Sequence, residues 1–263
     1  MSTAHLPAGV WLRAAERDLP LVTVDALLEP GAAALVLAPH PDDESLGCGG
    51  LLAACAVAGR AARVVVVSDG AGSHRRSRAF PPARLVALRQ AEARAAVTAL
   101  GLDATRDLHF LGLPDTAVPR QGTAFEAAVA AVLALPGPPP GAVFASWRHD
   151  PHGDHAATWA LAAAVVAALP PGTRLFAYPV WGLAHAHPVP GFPLPPPPLL
   201  AAPPRGVRLD IAPRLAAKRR AISAHASQLG ELIQDDAGGF RLPPEALALA
   251  LRPFELFLAE PAA

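Results

Sequence analysis

At 263 residues, 52% of them hydrophobic and only 17% charged, the chain has ample material for a buried core, and extended disorder is excluded. Its length suits a single domain spanning residues 1–263. Lys+Arg and Asp+Glu balance at 22 each, so no net basic field exists to draw in a nucleic-acid backbone. No apolar run reaches the roughly 20 residues that span a bilayer. The opening MSTAHLPAGVWLRAAERDLP also lacks the charged-then-apolar design of a signal peptide, so the expected location is the cytoplasm.

Short β-branched runs alternate with longer alanine- and leucine-rich stretches, the sequence form of βαβ units around a mostly parallel sheet. In chain order the pattern predicts a strand over Ala33–Ala38, a helix over Glu44–Val57, a strand over Arg63–Ser68 and a helix over Ala83–Leu100 stopped by Gly101. A strand over Asp107–Phe110, a helix over Thr123–Leu135, a strand over Ala142–Ala145, a helix over Ala156–Leu169 and a strand over Arg174–Tyr178 follow. Pro188–Pro204 is too proline-dense for a helix or a central strand and reads as a stiff surface loop. Beyond it, Pro213–Gln228 reads as a helix and Phe254–Leu258 as a short closing strand. Cys48 and Cys55 lie in an apolar segment without CxxC spacing and are expected as buried free thiols.

The first strand runs directly into LVLAPHPDDESLGCGG, which brings His40, Asp42, Asp43 and Glu44 to the start of a helix. In an open parallel sheet the carboxyl ends of the strands face the ligand crevice, so these side chains stand where a substrate binds. A histidine and two carboxylates this close supply metal ligands and a general base. Taken alone, the same residues also suit a turn followed by an acidic helix start. The glycines at 47, 49 and 50 do not form GxGxxG after the strand, which disfavours a dinucleotide site; they suit close packing of the helix.

A second strand end, VFASWRHDPHGDHAATWAL, repeats the arrangement with His149, Asp150, His152, Asp154 and His155. Parallel strands bring both clusters to one sheet edge. Zinc held by His40, Asp43 and His155 would have two nitrogens and one carboxylate, leaving a position open for water. Asp42 is then placed to take a proton from that water, and His152 to carry positive charge beside a developing oxyanion. Asp154 is suited to orient His152 or a ligating histidine.

These residues resemble the signature of the LmbE-like, PIG-L-type deacetylases, an HPDDE strand end paired with a later HxDH, here Pro39–Glu44 and His152-Gly153-Asp154-His155. The resemblance spans about Ala33 to Ala160. It implies a Rossmann-like, three-layer α/β/α sandwich. It also implies zinc ligation by His40, Asp43 and His155, Asp42 as general base, and His152 as electrostatic catalyst or acid. The implied activity is removal of an N-acyl, typically N-acetyl, group from an amino sugar or small glycoconjugate. A tyrosine that assists catalysis in some thiol-pathway relatives has no counterpart, because Asp150 stands two residues before the HxDH.

Substrate contacts are expected from Ser73, His74 and Arg75, with Arg76, in the loop after the second strand, and from Asp115 after the third. Tyr178 ends its strand near this edge and suits a core role as well as a site role. His185 and His187 lack nearby acids and read as surface histidines, and His225 and Gln228 share one helix face. The rival readings are a noncatalytic metal- or sugar-binding module and another metallohydrolase such as a phosphoesterase. The first has no use for a base at Asp42. The second calls for two metals about 3.5–4 Å apart. Nothing in the sequence decides between a monomer and a homo-oligomer.

Overall fold

The apolar runs form the strands they predict. The structure, a computed structural model, describes residues 4–230 and 232–259. Strand β1 (His5–Pro7) leads into α1 (Ala8–Asp18), β2 (Leu21–Val22), α2 (Val24–Leu27), β3 (Ala33–Ala38), α3 (Asp43–Val57), β4 (Ala62–Ser68) and α4 (Pro82–Ala99). Next come β5 (Leu108–Leu113), α5 (Thr123–Leu133), β6 (Pro140–Ser146), α6 (Gly153–Ala168) and β7 (Arg174–Tyr178). The chain continues through β8 (Leu199–Ala201), β9 (Gly206–Asp210), α7 (Leu215–Ala224), α8 (Pro244–Ala250) and β10 (Phe254–Leu258).

Eight strands form one sheet in the order β2-β9-β10-β7-β6-β3-β4-β5. Only β10 runs antiparallel to its neighbours. Alternate residues of each strand point to opposite faces, and both faces are covered. Val36, Val64 and Phe144 pack under α3 and α4 on one side, while Leu37, Val65 and Val143 pack under α1, α5 and α6 on the other. The result is a three-layer α/β/α sandwich. Burial on both faces is why β3 and β4 read as unbroken apolar runs.

Strand order reverses at β3, which pairs with β4 on one side and β6 on the other. Such a switch point opens a crevice outside the carboxyl ends of the two strands. It is here that HPDDE, after β3, meets HGDH, after β6. Helix α3 approaches the sheet closely because it carries glycine: an ideal Cβ on Gly47 would lie 2.2 Å from Cδ2 of Tyr178. Tyr178 is fully buried and donates its hydroxyl to the Leu37 carbonyl at 2.9 Å, which makes it a core residue. Cys48 and Cys55 are buried free thiols.

Three sequence expectations need correction. The proline-rich stretch is not loop throughout, since β8 lies near its end and pairs antiparallel with β1. The helix expected over Pro213–Gln228 is broken: a 3₁₀ turn precedes α7, and His225 leaves helical geometry at its end. The ring of His225 is drawn to Glu44, and Ser227 donates both its amide and its hydroxyl to Glu92. Helix α6 starts at Gly153 rather than Ala156, because His152 caps it by accepting the Asp154 amide at 3.2 Å. Among the described residues, no helix is long and apolar enough to cross a membrane.

Candidate metal centre

The turn from β3 into α3 carries the first cluster. Asp42 has φ 153°, a backbone geometry that side-chain-bearing residues rarely adopt. The turn is held there: the Asp42 amide donates to Glu44 Oε2 at 2.9 Å, and the Asp42 carbonyl accepts from Ser45 and Leu46. Glu44 is fully buried, and its other oxygen faces the Ser45 hydroxyl at 2.7 Å and His225 Nε2 at 2.8 Å.

Asp43 Oδ2 is the centre of the site. It accepts the His40 amide at 3.1 Å and lies 3.1 Å from His40 Nδ1 and 3.4 Å from His155 Nε2. The imidazoles of His40, His152 and His155 gather round it, with ring centroids 4.6–5.5 Å apart. His155 is fully buried. Its Nδ1 lies 2.9 Å from Asp150 Oδ2, while its Nε2 has no hydrogen-bond partner among the described residues. Because Nδ1 points at Asp150, Nε2 is the ring nitrogen that faces Asp43. A buried, unpartnered imidazole nitrogen beside a carboxylate and a second imidazole is the donor set a borderline cation such as zinc takes. The residues fit a metal.

In His40 and His155 the ring nitrogen that turns away from Asp43 meets a carboxylate. His40 Nε2 lies 3.2 Å from Asp154 and 3.3 Å from Asp115. Asp154 also accepts the amides of Thr116 at 2.7 Å and Val118 at 3.2 Å, and so fixes the loop after β5. The sequence suits Asp154 to orient a histidine, and His40 is the ring it meets. Asp150, which the sequence leaves without a role, accepts from His155 and from the amides of Val180, Trp181 and Gly182 at 2.8–3.2 Å.

These contacts govern the proton affinities. Burial raises the Asp42 carboxyl to about 6, against the pull of Arg89, whose guanidinium lies 3.3 Å away. Burial also works against ionised Asp43, but His155 and His40 outweigh it and hold that carboxyl well below the usual range. Burial alone would depress His155, yet Asp43 and Asp150 raise it to about 9. His152 differs: burial, then the charge of His40, pushes it down. The Asp154 amide donates to His152 Nδ1, which leaves Nε2 as the ring nitrogen able to carry a proton.

A cavity of about 460 Å³ opens over this cluster, within the ~300–1,000 Å³ range of small-molecule sites. His40, Asp42, Asp43 and His152 line it; Ser73, Asp115, Thr116 and Gln228 add polar groups, and Trp181, Phe192 and Phe240 aromatic rings. Of the expected substrate contacts, Ser73 and Asp115 reach the cavity. His74 does not: it is buried against Gly239. Arg75 bonds to Thr116 Oγ1 at the exposed rim. Arg89 carries no signal in the sequence because it is one of three arginines in α4, with Arg84 and Arg94, and all look solvent-facing; it is buried and grips the carbonyls of Gly70 and Pro41.

A doubly covered, mostly parallel sheet with an imidazole–carboxylate metal-type cluster at its switch point defines the class. Within it, the chain belongs to the PIG-L family: residues 35–166 match the family described as GlcNAc-PI de-N-acetylase. No curated protein matches the chain in sequence. Among solved structures it is similar to N,N'-diacetylchitobiose deacetylase from Pyrococcus horikoshii, with TM-score 0.67 and 20% identity over 96% of this chain and 91% of that one. A conserved protein from Thermus thermophilus gives 0.61 and 25% over 87% and 94%. A 4-carboxy-2-hydroxymuconate hydratase from Pseudomonas putida gives 0.55 and 22% over 75% and 80%.

Proposed function

We propose that this protein hydrolyses the N-acyl bond, typically N-acetyl, of an amino sugar or small glycoconjugate, with zinc held by His40, Asp43 and His155. The observation that carries the reading is the unpartnered Nε2 of His155 facing Asp43, with Asp42 beside it in the cavity lining. Zinc bound there supplies Lewis acidity, which acidifies water and polarises an acyl carbonyl.

Asp42, with a pKa near that of an effective base at neutral pH, removes the proton of the attacking water. Neutral His152 donates Nε2–H to the oxygen of the tetrahedral intermediate. Having no extra proton to give, it leaves Asp42 to return its proton to the departing amine. Asp154 and Asp115 hold the His40 ring, and Asp150 holds His155. Ser73 and Asp115 offer hydrogen bonds to sugar hydroxyls from the cavity lining. The amino-sugar class is supported by family membership and by the likeness to a chitobiose deacetylase.

The test is to give zinc-loaded protein a panel of N-acetyl sugars and assay free amine and acetate, with metal counted per chain. Amine release with one zinc supports the reading. Silence on every sugar with robust turnover of a phosphoester, or two zinc ions per chain, overturns it.

A further inference from the structure

The cavity lining combines polar groups with a cluster of three aromatic rings. Trp181 comes from the turn after β7, Phe192 from the proline-rich loop and Phe240 from the segment before α8. Phe192 stacks on Trp181 with centroids 5.1 Å apart and planes 22° apart; Phe240 meets Trp181 edge-on at 5.6 Å and 80°. All three rings are only half-buried, although mutual packing already covers part of each. They line the cavity together with Ser73 and Asp115.

Both ends of this wall are fixed. The Trp181 amide donates to Asp150 at 3.2 Å, and the Phe240 amide donates to the Ser73 carbonyl at 2.8 Å. Asp235 and Asp236 tie the Phe240 segment to the 76–79 backbone. A pre-positioned aromatic surface loses little entropy when a ligand stacks on it. All three rings also lie outside residues 35–166, the stretch that matches the family.

We propose that Trp181, Phe192 and Phe240 form a ring-stacking subsite that selects N-acyl amino sugars bearing a second, flat-faced ring as aglycone. The inference rests on the deacylase reading for the reaction but not for the binding. A lining that combines clustered aromatic rings with hydroxyl-binding groups suits a ligand with both characters. Rigid ring faces favour a planar partner over a flexible acyl chain, for which aliphatic side chains would serve equally.

The test compares phenyl and methyl β-glycosides of N-acetylglucosamine, with N-octanoylglucosamine as a third arm. Affinity is measured by calorimetry and turnover by amine release, for the wild type, Trp181→Ala and Phe192→Ala. The wild type is expected to bind the phenyl glycoside about tenfold more tightly than the methyl one. Either substitution should pull that ratio toward one; Phe192, on a surface loop, provides the variant least exposed to folding defects. Equal affinity for both glycosides, failure to bind either, or a ratio untouched in both variants overturns the subsite. A gain confined to the octanoyl compound assigns the wall to the acyl chain and overturns it too. Preferential phenyl binding without turnover of any compound leaves the subsite standing and removes the deacylase reading.

Discussion

Asp150→Asn isolates the residue that aims His155. In the native protein Oδ2 faces His155 Nδ1 at 2.9 Å and accepts from the Val180 and Trp181 amides, while Oδ1 accepts from Gly182 at 2.8 Å. Asparagine keeps one acceptor oxygen. If that oxygen stays with His155, the new NH2 meets the Gly182 amide, donor against donor, and one buried hydrogen bond is lost, costing ~1–3 kcal/mol. For a chain of this size that corresponds to a fall in Tm of ~2–4 °C per kcal/mol. Loss of the carboxylate charge also makes His155 a weaker ligand, and removing such a partner typically costs ~10–100-fold in metal affinity, or ~1.4–2.7 kcal/mol. Thermal unfolding and zinc competition against a chromogenic chelator read the two effects separately. A lowered Tm with unchanged zinc affinity would refute the orienting role and leave Asp150 as an anchor for the 180–182 turn only.

Asp42→Asn should lower kcat by ~10²–10⁴-fold while sparing zinc binding, and near-normal turnover would remove Asp42 from the role of base. Zinc affinity should rise with pH between about 6 and 8, because His155, held at about 9 by Asp43 and Asp150 against its burial, keeps below that pH a proton that zinc must displace. Calorimetry in buffers of different ionisation enthalpy reads the released protons; a pH-independent affinity would contradict this. Lys218→Met removes the ammonium 2.6 Å from buried Glu255, leaving that charge only the Gly50 and Leu51 amides, and should cost ~3–5 kcal/mol in urea unfolding without changing zinc affinity. A loss below ~1 kcal/mol, roughly the worth of an exposed pair, would contradict the pairing.

The central sheet was legible because β3, β4 and β6 are buried on both faces and leave unbroken apolar runs. The two clusters were legible because each lies at one strand end as a short polar run. What escaped depends on partners distant in sequence. Strands β1 and β2, three and two residues long, exist only through pairing with β8 and β9. His225 ends its helix because of Glu44, 181 positions away. Asp150 looked like one more acid in a polar run, since its backbone partners lie 30–32 residues downstream. Trp181, Phe192 and Phe240 share no motif; only the fold makes them neighbours.

The φ of 153° at Asp42 sets chemistry against durability. A side-chain-bearing residue held in such a region costs of order 1–3 kcal/mol, which glycine would largely recover. Selection for heat resistance alone would therefore favour Asp42→Gly, a hardier chain without the proposed base. Any stabilising campaign on this protein has to screen for turnover at every round, because this strained backbone position is the one the proposed reaction requires.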